Sequence, residues 1–95
     1  MYSPSHLEVA ILTYLSENDI TVPITGITQE AMYDADPIIS SYSESALYKA
    51  LSNLVDRRIV ALGIRYGRRY SYYLPAEGSA FFKEISSVER GRKRK

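Results

Sequence analysis

Residues 43–74 read S-E-S-A-L-Y-K-A-L-S-N-L-V-D-R-R-I-V-A-L-G-I-R-Y-G-R-R-Y-S-Y-Y-L, and their hydrophobic period changes once. Leu47, Leu51, Leu54 and Val55 recur at i, i+4, i+7 and i+8, the spacing of a helix with one buried stripe. From Ile59 the residues become β-branched and aromatic, in two short runs at about 59–65 and 69–74 with Gly67 between them. That pattern predicts a hairpin. A helix to about Arg57 therefore feeds directly into a hairpin whose tip carries Arg65, Arg68 and Arg69.

With Leu47, Leu51 and Leu54 turned inward, the helical period puts Ser45, Lys49, Ser52 and Asp56 outside and Tyr48 and Asn53 on the flanks. Its start has a capping box between Ser41 and Glu44, with Ser43 as the alternative cap. Strand alternation puts Tyr70, Tyr72 and Leu74 on one face of the second strand and Arg69, Ser71 and Tyr73 on the other. Tyr70 and Tyr72 then read as packing, with Tyr66 and Tyr73 on the exposed side.

Upstream, Ser5 and Glu8 have capping-box spacing at the head of a first helix. Leu7, Ile11, Tyr14 and Leu15 share one of its faces, and Val9, Ala10 and Leu12 widen it. Such a helix either sits centrally in its own core or is covered by a second subunit. Glu17-Asn18-Asp19 ends it. Around Pro23, residues 20–24 predict at best a short edge strand, since proline cannot donate to a sheet ladder. A second helix over about 27–35 starts at a threonine cap and stops at Asp36-Pro37, leaving 38–42 as a connector. Downstream, Pro75 opens a last helix with Phe81, Phe82 and Ile85 on its apolar face. From Glu89 the R-G-R-K-R-K segment has nothing to bury, so residues 1–88 read as one domain and 89–95 as a basic tail, disordered unless bound. The expected class is mainly α with a small β hairpin (α+β), in the order helix-strand-helix-helix-strand-strand-helix.

The net charge of +1 conceals a division: residues 1–48 hold seven acids and no Lys or Arg, while 49–95 hold all twelve Lys and Arg against four acids. One basic and one acidic face on a small domain point toward a polyanion. With no Cys, disulfides and thiolate-metal sites are excluded. No apolar run approaches the ~20 residues of a membrane span, and no Lys or Arg precedes the first apolar stretch as in a secretory signal, so a cytoplasmic location is expected. The single His6 lies in a capping box, and there is neither a glycine-rich phosphate loop nor a catalytic pair of acids. Catalysis, a metal, a cofactor and a small-molecule ligand are not expected.

The element order, together with L-Y-K-A-L-S-N-L (47–54), G-R-R-Y-S-Y-Y-L (67–74) and Glu77-Gly78, resembles the winged helix-turn-helix domains of PadR- and MarR-like transcription regulators. The likeness covers about residues 43–85. Three positions depart from it: Arg58 stands where those families usually have Gly after the recognition helix, Pro75 stands where Thr commonly caps the last helix, and the long C-terminal dimerisation arm of many PadR proteins is lacking. Short domains of this kind also occur in phage, archaeal-virus and plasmid proteins.

The resemblance implies a regulator of transcription, most simply a repressor, that binds double-stranded DNA as a homodimer. The helix would enter the major groove, with Ser43, Ser45, Tyr48, Lys49, Ser52 and Asn53 nearest the DNA. Asn53 suits adenine and Lys49 guanine; Glu44 suits either a cap or cytosine. Arg65, Tyr66, Arg68 and Arg69 would meet phosphates or the minor groove, since three guanidiniums on one turn need an anion among them. Arg57 and Arg58 are weaker candidates, because cations near a helix C-terminus are stabilised by the dipole anyway. Arg90, Arg92 and Lys93 would add sequence-independent contacts. The expected dimer surface is Leu7, Ile11, Tyr14, Phe81, Phe82 and Ile85. The competing expectations are a protein-docking adaptor using the acidic half, and an architectural DNA binder with little sequence preference.

Overall fold

A computed structural model describes residues 2–93, with side chains through Ser86. The elements are α1 (His6–Glu17), a 3-10 turn (Pro23–Thr25), β1 (Ile27–Thr28), α2 (Gln29–Ala35), α3 (Pro37–Ser40), α4 (Glu44–Asp56), β2 (Ala61–Leu62), β3 (Ser71–Tyr73) and α5 (Ala76–Lys93). The strands form one antiparallel sheet in the order β1-β3-β2, and α1 packs against α3, α4 and α5. The mainly-α reading with a small hairpin therefore holds.

The caps are those the sequence carries. Ser5 and Glu8 form the reciprocal box on α1, and Thr28 caps α2. On α4 the alternative cap is the one used: Ser43 Oγ accepts from the Ala46 N–H, while Ser41 Oγ donates to the Ile38 carbonyl. Each such oxygen satisfies a donor left over at a helix start, a contribution of about 1 kcal/mol.

The core follows the helical phase. Ile11, Leu12 and Leu15 of α1 and Leu47, Leu51 and Leu54 of α4 are fully buried, together with Met32, Ile39, Val60 and Leu74. The first helix is thus central in its own domain. Ile11 is 0% and Leu7 6% exposed, so both are spent on the chain's own interior and not on the expected dimer surface. Tyr14, Phe81, Phe82 and Ile85 remain half-buried.

Several elements differ from the sequence reading. Residues 20–24 form no strand: the Leu74 N–H donates to the Ile20 carbonyl at 2.8 Å, and the chain then turns at Pro23–Thr25. The edge strand is instead Ile27–Thr28, paired to β3 in the register Ile27↔Tyr72 and Thr28↔Ser71. The connector contains α3, because Asp36 both ends α2 and caps the next helix; its Oδ1 accepts from the N–H groups of Ile38 and Ile39. Proline at the first helical position costs nothing there, since its missing N–H would be unpaired anyway. α5 runs through residue 89, where the tail was expected to begin. The side chains of Arg90, Arg92 and Lys93 lie outside the described residues, as do residues 94–95.

α1 and α4 end in the same motif, and neither uses glycine. Asp19 (φ 53°) and Arg58 (φ 62°) take the left-handed position. Behind them Ile20 N–H donates to the Leu15 carbonyl and Ile59 N–H to the Leu54 carbonyl, closing six-residue caps whose ends are buried apolar pairs. Arg58 thus occupies the glycine slot by accepting the strain. Gly78 answers a different need: a Cβ there would lie 1.8 Å from the Ile59 carbonyl oxygen, so only glycine lets α5 approach this closely.

Candidate nucleic-acid interface

On α4, Ser43, Glu44, Ser45, Tyr48 and Lys49 are exposed and Ser52 is half-buried, a run of small and polar side chains along one side of the helix. α4 is held at its N-terminus by α2, whose Gln29 Nε2 donates to the Glu44 carbonyl at 3.2 Å. Ser43 and Glu44 are therefore engaged in holding the helix start, Ser43 by its hydroxyl and Glu44 by its backbone carbonyl.

Asn53 is not available to bases. Its Nδ2 donates to Glu8 Oε2 at 2.6 Å and to the Tyr2 hydroxyl at 2.9 Å, and its Oδ1 accepts from Arg57 Nε at 3.4 Å. Tyr2 donates in turn to Glu8 Oε1, which also accepts from the Ser5 N–H. The Arg57 guanidinium lies 3.8 Å from the centre of the Tyr2 ring, and that ring packs beside Phe81 of α5. Burial pushes the Tyr2 hydroxyl up to about 12, reinforced by its bond to the Glu8 carboxylate. Burial would also raise the Glu8 carboxyl, but bonds from Tyr2, Asn53 and Ser5 outweigh it and hold it below its ordinary value. One clue to this network is legible in the sequence: Glu8 at the third position of its helix spends one oxygen on the capping box and leaves the other free.

The hairpin projects past the core. Tyr66 and Arg69 exchange backbone hydrogen bonds of 2.8 and 3.0 Å across the two-residue loop Gly67-Arg68. Gly67 has φ 63°, the positive value that a tight turn of this hand needs at its first central residue. The tip arginines have three different surroundings. Arg65 lies over the Tyr70 ring at 5.1 Å, and Arg69 Nε meets Glu30 Oε2 of α2 at 3.3 Å. Arg68, at the apex, has no hydrogen bond or ion pair with any described residue. Tyr66 is exposed as expected, but two other tyrosines are exchanged. Tyr70 lies beyond the end of β3 and is 47% exposed, while Tyr73 is half-buried against the core.

The helix and the hairpin meet along a groove of about 170 Å³ lined by Tyr48, Ser52, Val55 and Asp56 of α4 and by Leu62, Tyr70 and Tyr72 of the hairpin. Burial raises the pKa of the Tyr72 hydroxyl, with further contributions from nearby Tyr48, Glu30 and Tyr70. The polar side of α4 and the arginine hairpin thus flank one surface rather than opposite ones.

The same overall fold is found in solved structures. The chain superposes on TubR from Bacillus megaterium pBM400 with a TM-score of 0.68 at 21% identity, covering 80% of this chain and 79% of that one. The fold is a winged helix-turn-helix. α4 is its recognition-type helix and the β2–β3 hairpin its wing. The adhesin competence repressor AdcR of Streptococcus pyogenes gives a TM-score of 0.67 at 17% identity, covering 97% of this chain and 61% of AdcR. The DNA-binding TubR fragment from Clostridium botulinum gives 0.63 at 21%, covering 90% and 99%. The chain thus spans a winged-helix domain's length and about three fifths of AdcR. No family model and no curated protein matches the sequence.

Proposed function

We propose that this chain is a DNA-binding transcription regulator that acts as a homodimer in the cytoplasm, most simply as a repressor. One observation carries the reading: Tyr48 and Ser52 of α4 and Tyr70 of the wing line the same groove, and the wing's Arg65 lies over that Tyr70 ring. A duplex seated there receives α4 in its major groove, with Ser45, Tyr48, Lys49 and Ser52 toward the base edges. The wing then reaches the adjoining backbone or minor groove with Arg65, Tyr66 and Arg68. Asn53 and Arg57 stay behind, positioning the helix.

The half-buried Tyr14, Phe81, Phe82 and Ile85 on α1 and α5 are the proposed dimer surface. The DNA-binding TubR fragment and the repressor AdcR share the fold and are compatible with this role. Among the described residues no helix is long and apolar enough to cross a membrane.

Titration of random-sequence duplex at several salt concentrations tests the proposal. Several phosphate contacts predict a log–log slope of about −3 or steeper. Replacing Arg68 and Arg69 together by Ala weakens binding without unfolding the domain. Failure of the wild type to bind at ~50 mM salt removes the DNA reading and leaves the acidic half as a protein-docking surface.

A further inference from the structure

We infer that Glu30 is a built-in competitor of DNA phosphate: its carboxylate holds Arg69 of the wing, and a duplex must displace it to recruit that guanidinium. This rests on the proposed DNA-binding role and specifies how the same surface is tuned. Three guanidiniums within five residues of a tight turn repel one another unless an anion lies among them, and the anion present is Glu30. The pairing follows from the sheet. β1 and β3 are paired at Ile27↔Tyr72 and Thr28↔Ser71, so the first turn of α2, which follows β1, starts beside the wing residues that precede β3. Arg69 Nε and Glu30 Oε2 meet there at 3.3 Å.

Glu30 lies beside two parts of the proposed surface. It sits in the first turn of α2, one residue from Gln29, whose side chain bonds the start of α4. Its partner Arg69 precedes Tyr70, which lines the groove between α4 and the wing. The Glu30 carboxylate thus lies on the face proposed for DNA, in the half of the chain that carries only acids. A carboxylate and a phosphate oxygen offer a guanidinium the same charge-assisted hydrogen bond. Only the fraction of molecules in which Arg69 has left Glu30 can use it on DNA, so the apparent affinity is lower by that fraction. Both partners are solvent-exposed, 64% for Arg69 and 47% for Glu30, so the pair is labile and exchange with a phosphate is unhindered.

The test measures affinity for one random-sequence duplex at ~50 mM salt in a set of variants, each checked by circular dichroism for native melting. E30Q keeps the helix-forming shape and loses the charge. It is expected to bind roughly two- to fivefold more tightly than the wild type, the range for releasing an exposed ion pair. The same gain is expected in an R68A background and none in an R69A background. An increase in affinity is not produced by damage to the fold. Wild-type binding with E30Q unchanged or weaker overturns the inference, as does a gain that persists in R69A, which would show a general charge effect. If the wild type does not bind duplex at all, the DNA reading itself fails, and that result is distinct from either.

Discussion

On the side of α4 that faces α1, Asn53 and Arg57 meet Tyr2 and Glu8, and the Asn53 amide, both Glu8 oxygens and the Tyr2 hydroxyl all have partners. On the side that faces the wing, Tyr48, Ser52 and Lys49 meet a groove or solvent, and their side chains make no hydrogen bond with any described residue. Both sides carry side chains suited to reading DNA, yet only the second leaves them free to do so. Buried polar groups are stable only when fully bonded, so a saturated network indicates a structural joint. A polar, aromatic surface that satisfies nothing within the protein is where a ligand's groups can be accepted.

The largest expected effect breaks this contrast if it is misplaced. Asn53→Ala removes two donors from the Tyr2–Glu8 network and leaves the Glu8 carboxylate, 6% exposed, short of a partner. A loss of about 2–3 kcal/mol in urea unfolding is expected. Lys49→Ala should change stability by less than ~0.5 kcal/mol while weakening duplex binding. Equal destabilisation by the two substitutions would mean that the joint is not where the structure puts it.

A smaller effect sharpens the contrast through pH. Tyr2 titrates higher in the folded chain than in the unfolded one, so its contribution is complete below pH 10 and is lost as pH rises toward 12. Wild type should therefore lose stability relative to Tyr2→Phe across that window. The difference should be on the order of 1 kcal/mol, since solvent screens a half-buried pair. Glu8 has the opposite sign. Its depressed pKa gives stability that is present above the ordinary carboxylate range and lost as pH falls through the folded value. Glu8→Gln should accordingly flatten the acid limb of a thermal-melting profile. Neither substitution should alter the affinity of the wing for duplex at neutral pH beyond its effect on folding.

The same contrast explains what could be read from the sequence. The stripe Leu47, Leu51, Leu54 fixes the inward phase of α4, because periodicity records burial on a regular helix. It places Asn53 on a flank but says nothing of what stands opposite, and that is Tyr2, 51 positions away in sequence. Likewise Leu7 and Ile11 read as an apolar face without revealing that the domain's own core consumes it. Alternation assigned Tyr70 to packing, but at that point the inward face meets an open groove rather than the core, so Tyr70 stays 47% exposed. β1 has two residues, too short for any period to show. α3 was hidden because Asp36-Pro37 ends one helix and begins the next with the same two residues.

The smallest expected effect concerns Arg58, where the joint gives way to the wing. An L-residue in the left-handed region costs roughly 1–2 kcal/mol, and Arg58 at φ 62° bears that cost where its hydrogen bonds need only a backbone. Arg58→Gly relieves the strain but gives the unfolded chain more freedom, which offsets part of the gain. A net stabilisation of about 0.5–1 kcal/mol is expected, read as a higher urea midpoint with unchanged slope. The arginine's charge near the end of α4 is a reason to retain it only if the duplex touches it. Duplex affinity in Arg58→Gly therefore decides between two accounts of the strained residue. Unchanged affinity leaves it as a helix terminator that glycine would serve better. A loss comparable to that of Arg68→Ala extends the DNA-binding surface from the wing tip back to the end of α4.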